Sequence, residues 1–349
     1  MHEPVHLQGF LDRWSAGKPQ RVALAATVGA IADVCAALSD LIADGPLAGQ
    51  LGREVGDAGG GDVQKELDVR ADRMFLEALR IAPVAVYGSE ENAEAILLDP
   101  AAPLAVVIDP LDGSSNIDTN VPVGSIFGIH AVAGGANGSL LDSVLQPGRH
   151  QLAAGFAVYG QHTALVLTLG EGTHIFTLDR SARLFRLSRR GVRIPEARRE
   201  YAINASNYRH WDQAIRTYVD DCIAGNEGPR GGNFNMRWIA SLVAETFRIL
   251  GRGGIFLYPN DRRPGYEEGR LRLVYEANPI AMIVEQAGGG ATSGETRILD
   301  TEPRGLHQRT PLVFGSADKV TRVARHYTWP LSTSERSPLF TERGLFHYA

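Results

Sequence analysis

The stretch Leu104–Asn116 constrains this chain more than any other. Leu104 to Ile108 is a short, wholly apolar run, the pattern of a strand buried on both sides. It ends in Asp109 and Asp112, separated by Pro110 and Leu111 and followed by Gly113. Proline and glycine set a turn there. Two carboxylates at the end of a rigid strand suit Mg²⁺, which takes oxygen ligands and keeps places for water and phosphate. Gly113-Ser114-Ser115 offers the backbone N–H groups and hydroxyls that hold a phosphate. A fold that buries this strand must therefore bring cations or protons to its end.

Two other segments add carboxylates at apparent strand ends: Glu90-Glu91 after Pro83–Tyr87, and Glu276 after Leu271–Tyr275. Sheet ends are where α/β proteins build sites. Four or more carboxylates gathered together repel unless cations neutralise them. A two-metal phosphoryl-transfer centre meets that requirement, with ions about 3.5–4 Å apart.

The remaining sequence is that of an ordinary globular protein. At 349 residues, two domains are expected. The chain carries 35 basic and 40 acidic residues, a net charge of −5, which argues against a nucleic-acid partner. Its two cysteines, Cys35 and Cys222, lie far apart, so no disulfide framework is expected. Leu24, Val28, Ile31, Cys35, Leu38 and Ile42 recur at helical spacing and read as the apolar face of one amphipathic helix. The apolar stretch 22–32 resembles a signal-peptide core, but it lies behind Glu3 and Asp12 and is cut by Asp33. No run reaches membrane-spanning length, and the protein is expected to be cytoplasmic with no membrane partner.

Glycine-rich residues 45–61 read as a mobile loop, and 62–80 as a helix capped by Asp62. Strands are expected at 123–132, 152–169 and 172–178. Seven arginines within 183–199 read as a solvated connecting segment ending at a boundary near Pro195. Beyond it, a helix is expected over 237–250, a strand over 254–259, and a helix from Asn278-Pro279 to Gly288. The overall expectation is an α/β (α+β) fold of two sheets with packed helices. Residues 1–195 would carry the metal and proximal-phosphate site, 196–335 the rest of the substrate site, and 336–349 a peripheral tail.

Asp109-Pro110-Leu111-Asp112-Gly113-Ser114-Ser115-Asn116-Ile117-Asp118, continued by Val123–Ile129, closely resembles the metal-binding signature of class I fructose-1,6-bisphosphatases, in particular the autotrophic bacterial form. A shorter version of it marks the wider Mg²⁺-dependent, lithium-sensitive phosphatase superfamily. Gly253–Pro259 and Tyr275-Glu276-Ala277-Asn278-Pro279 match the same family.

The resemblance implies roles. Asp62, Glu90, Asp109, the Leu111 carbonyl, Asp112 and Glu276 would hold two or more Mg²⁺ per subunit, with Mn²⁺ an alternative occupant. Asp68 and Glu91 would orient and deprotonate the attacking water. Asp112, Gly113, Ser114 and Ser115 would hold the 1-phosphate. Asn204, Arg237, Trp238, Tyr258 and Arg270 would hold the sugar and the distal phosphate, with Arg237 donated across the interface of a homotetramer. The implied reaction is Mg²⁺-dependent hydrolysis of fructose 1,6-bisphosphate to fructose 6-phosphate, in gluconeogenesis or the Calvin cycle. Alternatives are a broader bisphosphatase that also takes sedoheptulose 1,7-bisphosphate, an inositol-type or adenosine-bisphosphate phosphatase, and a non-enzymatic metal-bound regulator. Trp238 stands where the family has a tyrosine, and Arg270 where it has a lysine. The family's AMP-binding turn is replaced by Gly17-Lys18-Pro19-Gln20-Arg21-Val22, and its Lys-Tyr pair by Pro103-Leu104, which implies an enzyme insensitive to AMP.

Overall fold

A computed structural model describes residues 5–57, 63–133 and 139–328. The N-terminal half starts with helices α1 (Leu7–Ser15) and α2 (Pro19–Asp44), a ribbon of β1 (Glu54–Asp57) and β2 (Val63–Lys65), and helix α3 (Glu66–Leu79). There follow β3 (Val84–Ser89), β4 (Ile96–Leu97), β5 (Leu104–Asp112), β6 (Val123–Ala131), β7 (Gln151–Tyr159), β8 (Thr163–Thr168), β9 (Thr173–Asp179) and β10 (Leu184–Val192). These eight strands form one sheet in the order β10-β9-β8-β7-β6-β5-β3-β4. Only β3 and β5 pair in parallel; every other neighbour is antiparallel.

The C-terminal half contributes β11 (Glu200–Ala202), α4 (Gln213–Ile223), β12 (Asn235–Met236), α5 (Leu242–Arg252), β13 (Ile255–Tyr258), β14 (Leu271–Arg272), a π-helical turn over Leu273–Ala277, α6 (Asn278–Gln286), β15 (Gly289–Thr292), β16 (Arg309–Thr310), β17 (Leu312–Ser316) and α7 (Ala317–Thr328). Its five-stranded sheet runs β12-β11-β13-β17-β15, and β14 pairs with β16 as a separate ribbon.

Three apolar clusters make this a five-layered α/β/α/β/α stack. α1, α2 and α3 cover one face of the large sheet through Leu11, Val28, Leu38, Phe75 and Phe176. Helices α5 and α6 lie between the sheets, joining Ile126 and Phe156 to Val243, Ile283, Phe256 and Phe314. α4 and α7 cover the outer face of the small sheet through Ile215, Tyr218 and Val323. Burying both faces of the large sheet explains why β3 and β5 are buried at every position.

The layered α/β expectation holds; several local expectations do not. The helix expected from residue 62 begins at Glu66, because the preceding residues pair with β1. Part of the glycine-rich loop is a 3₁₀ turn (Gly45–Ala48) and strand β1; residues 58–62 lie outside the described residues, as do the N-terminus before Val5 and the tail from 329. The arginine-rich segment is not a bare connector but includes the edge strand β10. Some of its charges are paired: Arg183 binds Asp40 of α2 (2.8 Å) and Arg186 binds Asp179 of β9 (2.7 Å). The helix expected over 237–250 starts only at Leu242, where Ser241 accepts the Ala244 N–H. The strand ending at Glu276 stops at Arg272 and gives way to the π turn.

The helical stretch Pro19–Ala48 is also long and apolar enough to cross a membrane, against expectation. Its apolar face nevertheless faces the large sheet: Leu24, Val28, Ile31, Cys35 and Leu38 are buried there. Cys35 and Cys222 are separate buried thiols.

Candidate active site

β5 carries the first two carboxylates. Side chains three residues apart on a regular strand point to opposite faces. Here the ladder slips: Asp109 sits opposite Ile126 and Asp112 opposite Gly124, so three steps on β5 match two on β6. That bulge turns both carboxylates to one side. The result is a buried cluster in which oxygens of Asp109, Asp112 and Glu276 all lie within 4.8 Å of one another.

Each member is fixed by backbone. Asp109 Oδ1 accepts the Leu111 N–H (2.9 Å), and the Pro110 carbonyl accepts the Ser125 hydroxyl (2.7 Å). Asp112 Oδ2 accepts the Val243 N–H at the start of α5 (3.0 Å). Glu276 accepts the Arg272 N–H across the π turn. A Cβ on Gly124 would stand 2.6 Å from Val243 and 2.2 Å from the Ala157 carbonyl, so only glycine lets α5 approach Asp112 this closely.

β3 runs parallel to β5 and delivers the next pair. The Glu90 N–H donates to the Ile108 carbonyl (3.1 Å), which holds Glu90 beside β5. Glu91 accepts a hydrogen bond from Gln64 Nε2 (2.6 Å). At the start of α3, Asp68 Oδ2 accepts the Lys65 N–H (2.7 Å), while its Oδ1 is buried with no partner among the described residues. Asp62 lies outside the described residues.

The electrostatics follow from burial. Burial and then the Glu90 charge push Asp109 and Glu276 well above the usual carboxylate range. Burial raises Asp112 only to about 6, because the Val243 and Leu242 N–H groups oppose it. Glu91 is pushed up to about 8 by burial against the Gln64 bond, with Asp68 and Glu90 adding repulsion. Asp68 rises to about 6, again through burial. Five carboxyl groups whose ionised forms are this disfavoured are a site that divalent cations would stabilise. The partnerless Asp68 Oδ1 adds an unmet acceptor beside Glu91.

Next to this cluster is a cavity of ≈ 420 Å³. Glu90 and Glu276 share its lining with Tyr258, Tyr266, Arg270, Arg272 and Arg309. Arg272 and Arg309 stand directly opposite in the β14–β16 ribbon. Tyr258 and Arg270, both expected from sequence, are therefore in one cavity with Glu90 and Glu276.

Other expected residues sit apart from that lining. Gly113 has φ 82°, the left-handed turn that leads into Ser114 and Ser115. The buried Asn116 beyond them donates to the Ala240 carbonyl (2.8 Å). Leu111 is buried. Trp238 stacks on Phe256 (5.9 Å, 8°) and tilts against Tyr258 (6.0 Å). Arg237 is exposed, with Nε 3.7 Å from the buried Glu200. The Asn204 side chain is occupied in capping a 3₁₀ turn, accepting from Ser206. Neither Arg237 nor Asn204 lines the cavity.

Sequence reasoning missed Gln64, Tyr266, Arg272 and Arg309. Arg272 was legible as the second arginine of Arg270-Leu271-Arg272; the other three are single residues on turns and short ribbons, with no spacing to mark them.

Comparison with known proteins agrees along the whole chain. A family model described as "Fructose-1-6-bisphosphatase, N-terminal domain" matches residues 13–190, and "Fructose-1-6-bisphosphatase, C-terminal domain" matches 194–328. The class 1 fructose-1,6-bisphosphatase of Rhodopseudomonas palustris (strain BisA53) is 52% identical over 99% of both chains. That of Sinorhizobium medicae is 60% identical over 82% of each. The crystal structure of Leishmania major fructose-1,6-bisphosphatase in holo form superposes with a TM-score of 0.86 at 36% identity, covering 93% of this chain and 99% of its own. With its carboxylate cluster and arginine-lined cavity joined on this fold, the chain belongs to the class 1 fructose-1,6-bisphosphatase family.

Proposed function

We propose that this protein is a metal-dependent phosphatase that removes the 1-phosphate of fructose 1,6-bisphosphate. One observation carries the reading: a single cavity is lined both by Glu90 and Glu276 and by Arg270, Arg272 and Arg309. The carboxylates suit cations at the reacting phosphate, and the arginines suit a second, unreacting phosphate. A monophosphate substrate of the inositol type would leave Arg270 without a phosphate to bind.

Glu90, Asp109, Asp112 and Glu276 would hold Mg²⁺, with Asp62 and the Leu111 carbonyl completing the set. When bound, Mg²⁺ supplies positive charge to the phosphoryl oxygens and acidifies an attacking water. The chain's own residues do the rest. Glu91, half-buried and oriented by Gln64, takes the proton of the attacking water. Asp68, its second oxygen unpartnered, shares in orienting that water. Gly113, Ser114 and Ser115 offer N–H and hydroxyl donors to the 1-phosphate. Tyr258, Trp238 and Asn204 would contact the sugar. Arg270, together with Arg237 of a neighbouring subunit in a homotetramer, would grip the distal phosphate. Residues 1–195 thus supply most of the chemistry, joined by Glu276 from 196–335, which otherwise supplies the grip. A cytoplasmic setting, in gluconeogenesis or the Calvin cycle, fits this substrate.

The test is phosphate release from fructose 1,6-bisphosphate, sedoheptulose 1,7-bisphosphate and inositol 1-phosphate, each with Mg²⁺ and with EDTA. The proposal expects Mg²⁺-dependent turnover of the first and none of the third. Turnover confined to inositol 1-phosphate would overturn it.

A further inference from the structure

The segment between Tyr258 and Arg270 is built around one ring. The Arg270 guanidinium lies 4.5 Å from the Tyr266 ring and 5.8 Å from that of Tyr258. A second guanidinium, that of Arg263, also lies over Tyr266, at 4.8 Å. The two cations are not equivalent. Arg263 is bound twice by Asp261 (2.9 and 2.5 Å), and that carboxylate is buried. Its charge is thereby cancelled. Arg270 makes no hydrogen bond or ion pair with any other described residue.

The backbone knots the loop around the same tyrosine. The Tyr266 N–H donates to the Arg263 carbonyl (3.0 Å), and the Tyr266 carbonyl accepts from Asp261 (3.1 Å) and Gly269 (3.1 Å). Gly269 lies so close to Thr310 that a Cβ would collide with its backbone at 2.3 Å, which anchors the loop to the ribbon bearing Arg309. Tyr266 is therefore held at both its main chain and its ring.

A guanidinium is planar: its faces attract aromatic rings, and its five N–H donors point outward in the plane. Stacking consumes the face and leaves the edge. We propose that Tyr266 is a positioning residue, which holds Arg270 by its face so that the edge is presented, without a competing carboxylate, to the distal phosphate of a sugar bisphosphate. The proposal rests on the reading of this cavity as the distal-phosphate pocket. It assigns Tyr266 a part in substrate affinity and none in bond breaking.

The experiment compares Tyr266→Leu, Tyr266→Phe, Arg270→Ala and the double variant Tyr266→Leu/Arg270→Ala, with fructose 1,6-bisphosphate and with a sugar carrying only the 1-phosphate. Tyr266→Leu is expected to raise KM for the bisphosphate about five- to thirtyfold, the span of a desolvated cation–ring contact, with kcat within about twofold. Its KM for the 1-phosphate alone should not move. Tyr266→Phe keeps the ring and should behave as the parent. The double variant should match Arg270→Ala, because the tyrosine acts only through the arginine.

If Arg270→Ala raises KM for the bisphosphate and Tyr266→Leu does not, the positioning role is wrong and the pocket assignment stands. If Arg270→Ala leaves KM unchanged, the pocket assignment itself fails. A Phe variant as weak as the Leu variant, or a double variant weaker than Arg270→Ala, would show that Tyr266 acts by another route and overturn the proposal.

Discussion

The backbone N–H of Val243, in the first turn of α5, donates to Asp112 Oδ2 at 3.0 Å. The positive end of a helix thus rests on one carboxylate of the cluster. Opposed by the Val243 and Leu242 N–H groups, burial raises Asp112 only to about 6, while Asp109 and Glu276, on which the Glu90 charge also acts, rise well beyond it. The Val243 contact also ties the carboxylate cluster to the element that follows Arg237 and Trp238 in sequence.

Asp109→Asn and Asp112→Asn keep shape and remove an anionic ligand. Turnover is expected to fall by about a hundredfold or more in each. The metal-free Asp109→Asn protein should melt higher than the parent, since a repelling buried charge is gone. Near-normal turnover of Asp112→Asn at saturating Mg²⁺ would exclude Asp112 as a ligand.

The raised carboxylates also set a pH dependence. A carboxyl group whose folded pKa lies above its unfolded value binds more protons when folded, so stability falls as pH rises between the two. The metal-free protein should therefore lose stability from about pH 4 through about pH 6 and further above it, as Asp112 and then its neighbours ionise. Divalent cation reverses that loss. The gain in Tm on adding Mg²⁺ should be larger at about pH 8 than at about pH 5.5, measured by thermal melts with Mg²⁺ and with EDTA. An equal gain at both pH values would mean that these groups do not face the ion.

Glu91→Gln retains the size of the side chain and removes its basicity. A fall in kcat of about 10²–10⁴ is expected, with KM changing by less than about threefold. Rapid-quench measurement of the first turnover would locate the loss in the chemical step. A normal first turnover would assign proton removal elsewhere.

Arg237 is half exposed, and among the described residues its side chain has only the long contact to Glu200. If it serves a neighbouring subunit, Arg237→Ala should raise KM for the bisphosphate about tenfold. Mixing unfolded Arg237→Ala and Asp112→Asn chains and refolding them together should then restore low-KM activity, because some sites receive an intact arginine and intact carboxylates from different chains. No recovery after mixing would place Arg237 in its own subunit's site.

AMP should not inhibit. Pro19 stands in the first turn of α2 with no N–H to offer a phosphate. Arg21 is committed elsewhere, bound to Glu171 at 2.6 Å and stacked 4.3 Å over Trp14. Half-inhibition at roughly tens of micromolar AMP in the turnover assay would show a functioning site and reject this prediction.

The sequence made the ends of β3 and β5 legible because an apolar run that stops at paired carboxylates has few physical explanations. It did not show how the carboxylates come to share one side, since a bulge between Asp109 and Asp112 leaves no trace in composition. Glu276 was legible as an acid at the end of an apolar run, but the strand expected before it stops at Arg272, and the π turn that lets Glu276 accept the Arg272 N–H has no mark in the sequence pattern. α4, whose apolar face of Ile215, Val219 and Cys222 meets α7, carries a helical spacing that was available and went unread. Tyr266 and Arg309 became visible only when the ribbon and the loop closed on one cavity. Charge alone misled at β10, where an edge strand tolerates arginines that a central strand would exclude.

The layer of helices shared by the two sheets bears on how the polypeptide can be handled. Ile126 and Phe156 from the first half, and Phe256 and Phe314 from the second, are covered by the same pair of helices, both drawn from the second half. Severed near Pro195, the first piece would lose the cover of an entire sheet face and present it to water as one continuous sticky surface. Neither fragment would be a manageable protein by itself. Each would act as the other's solubility tag, and co-expression of the two would be the way to recover either.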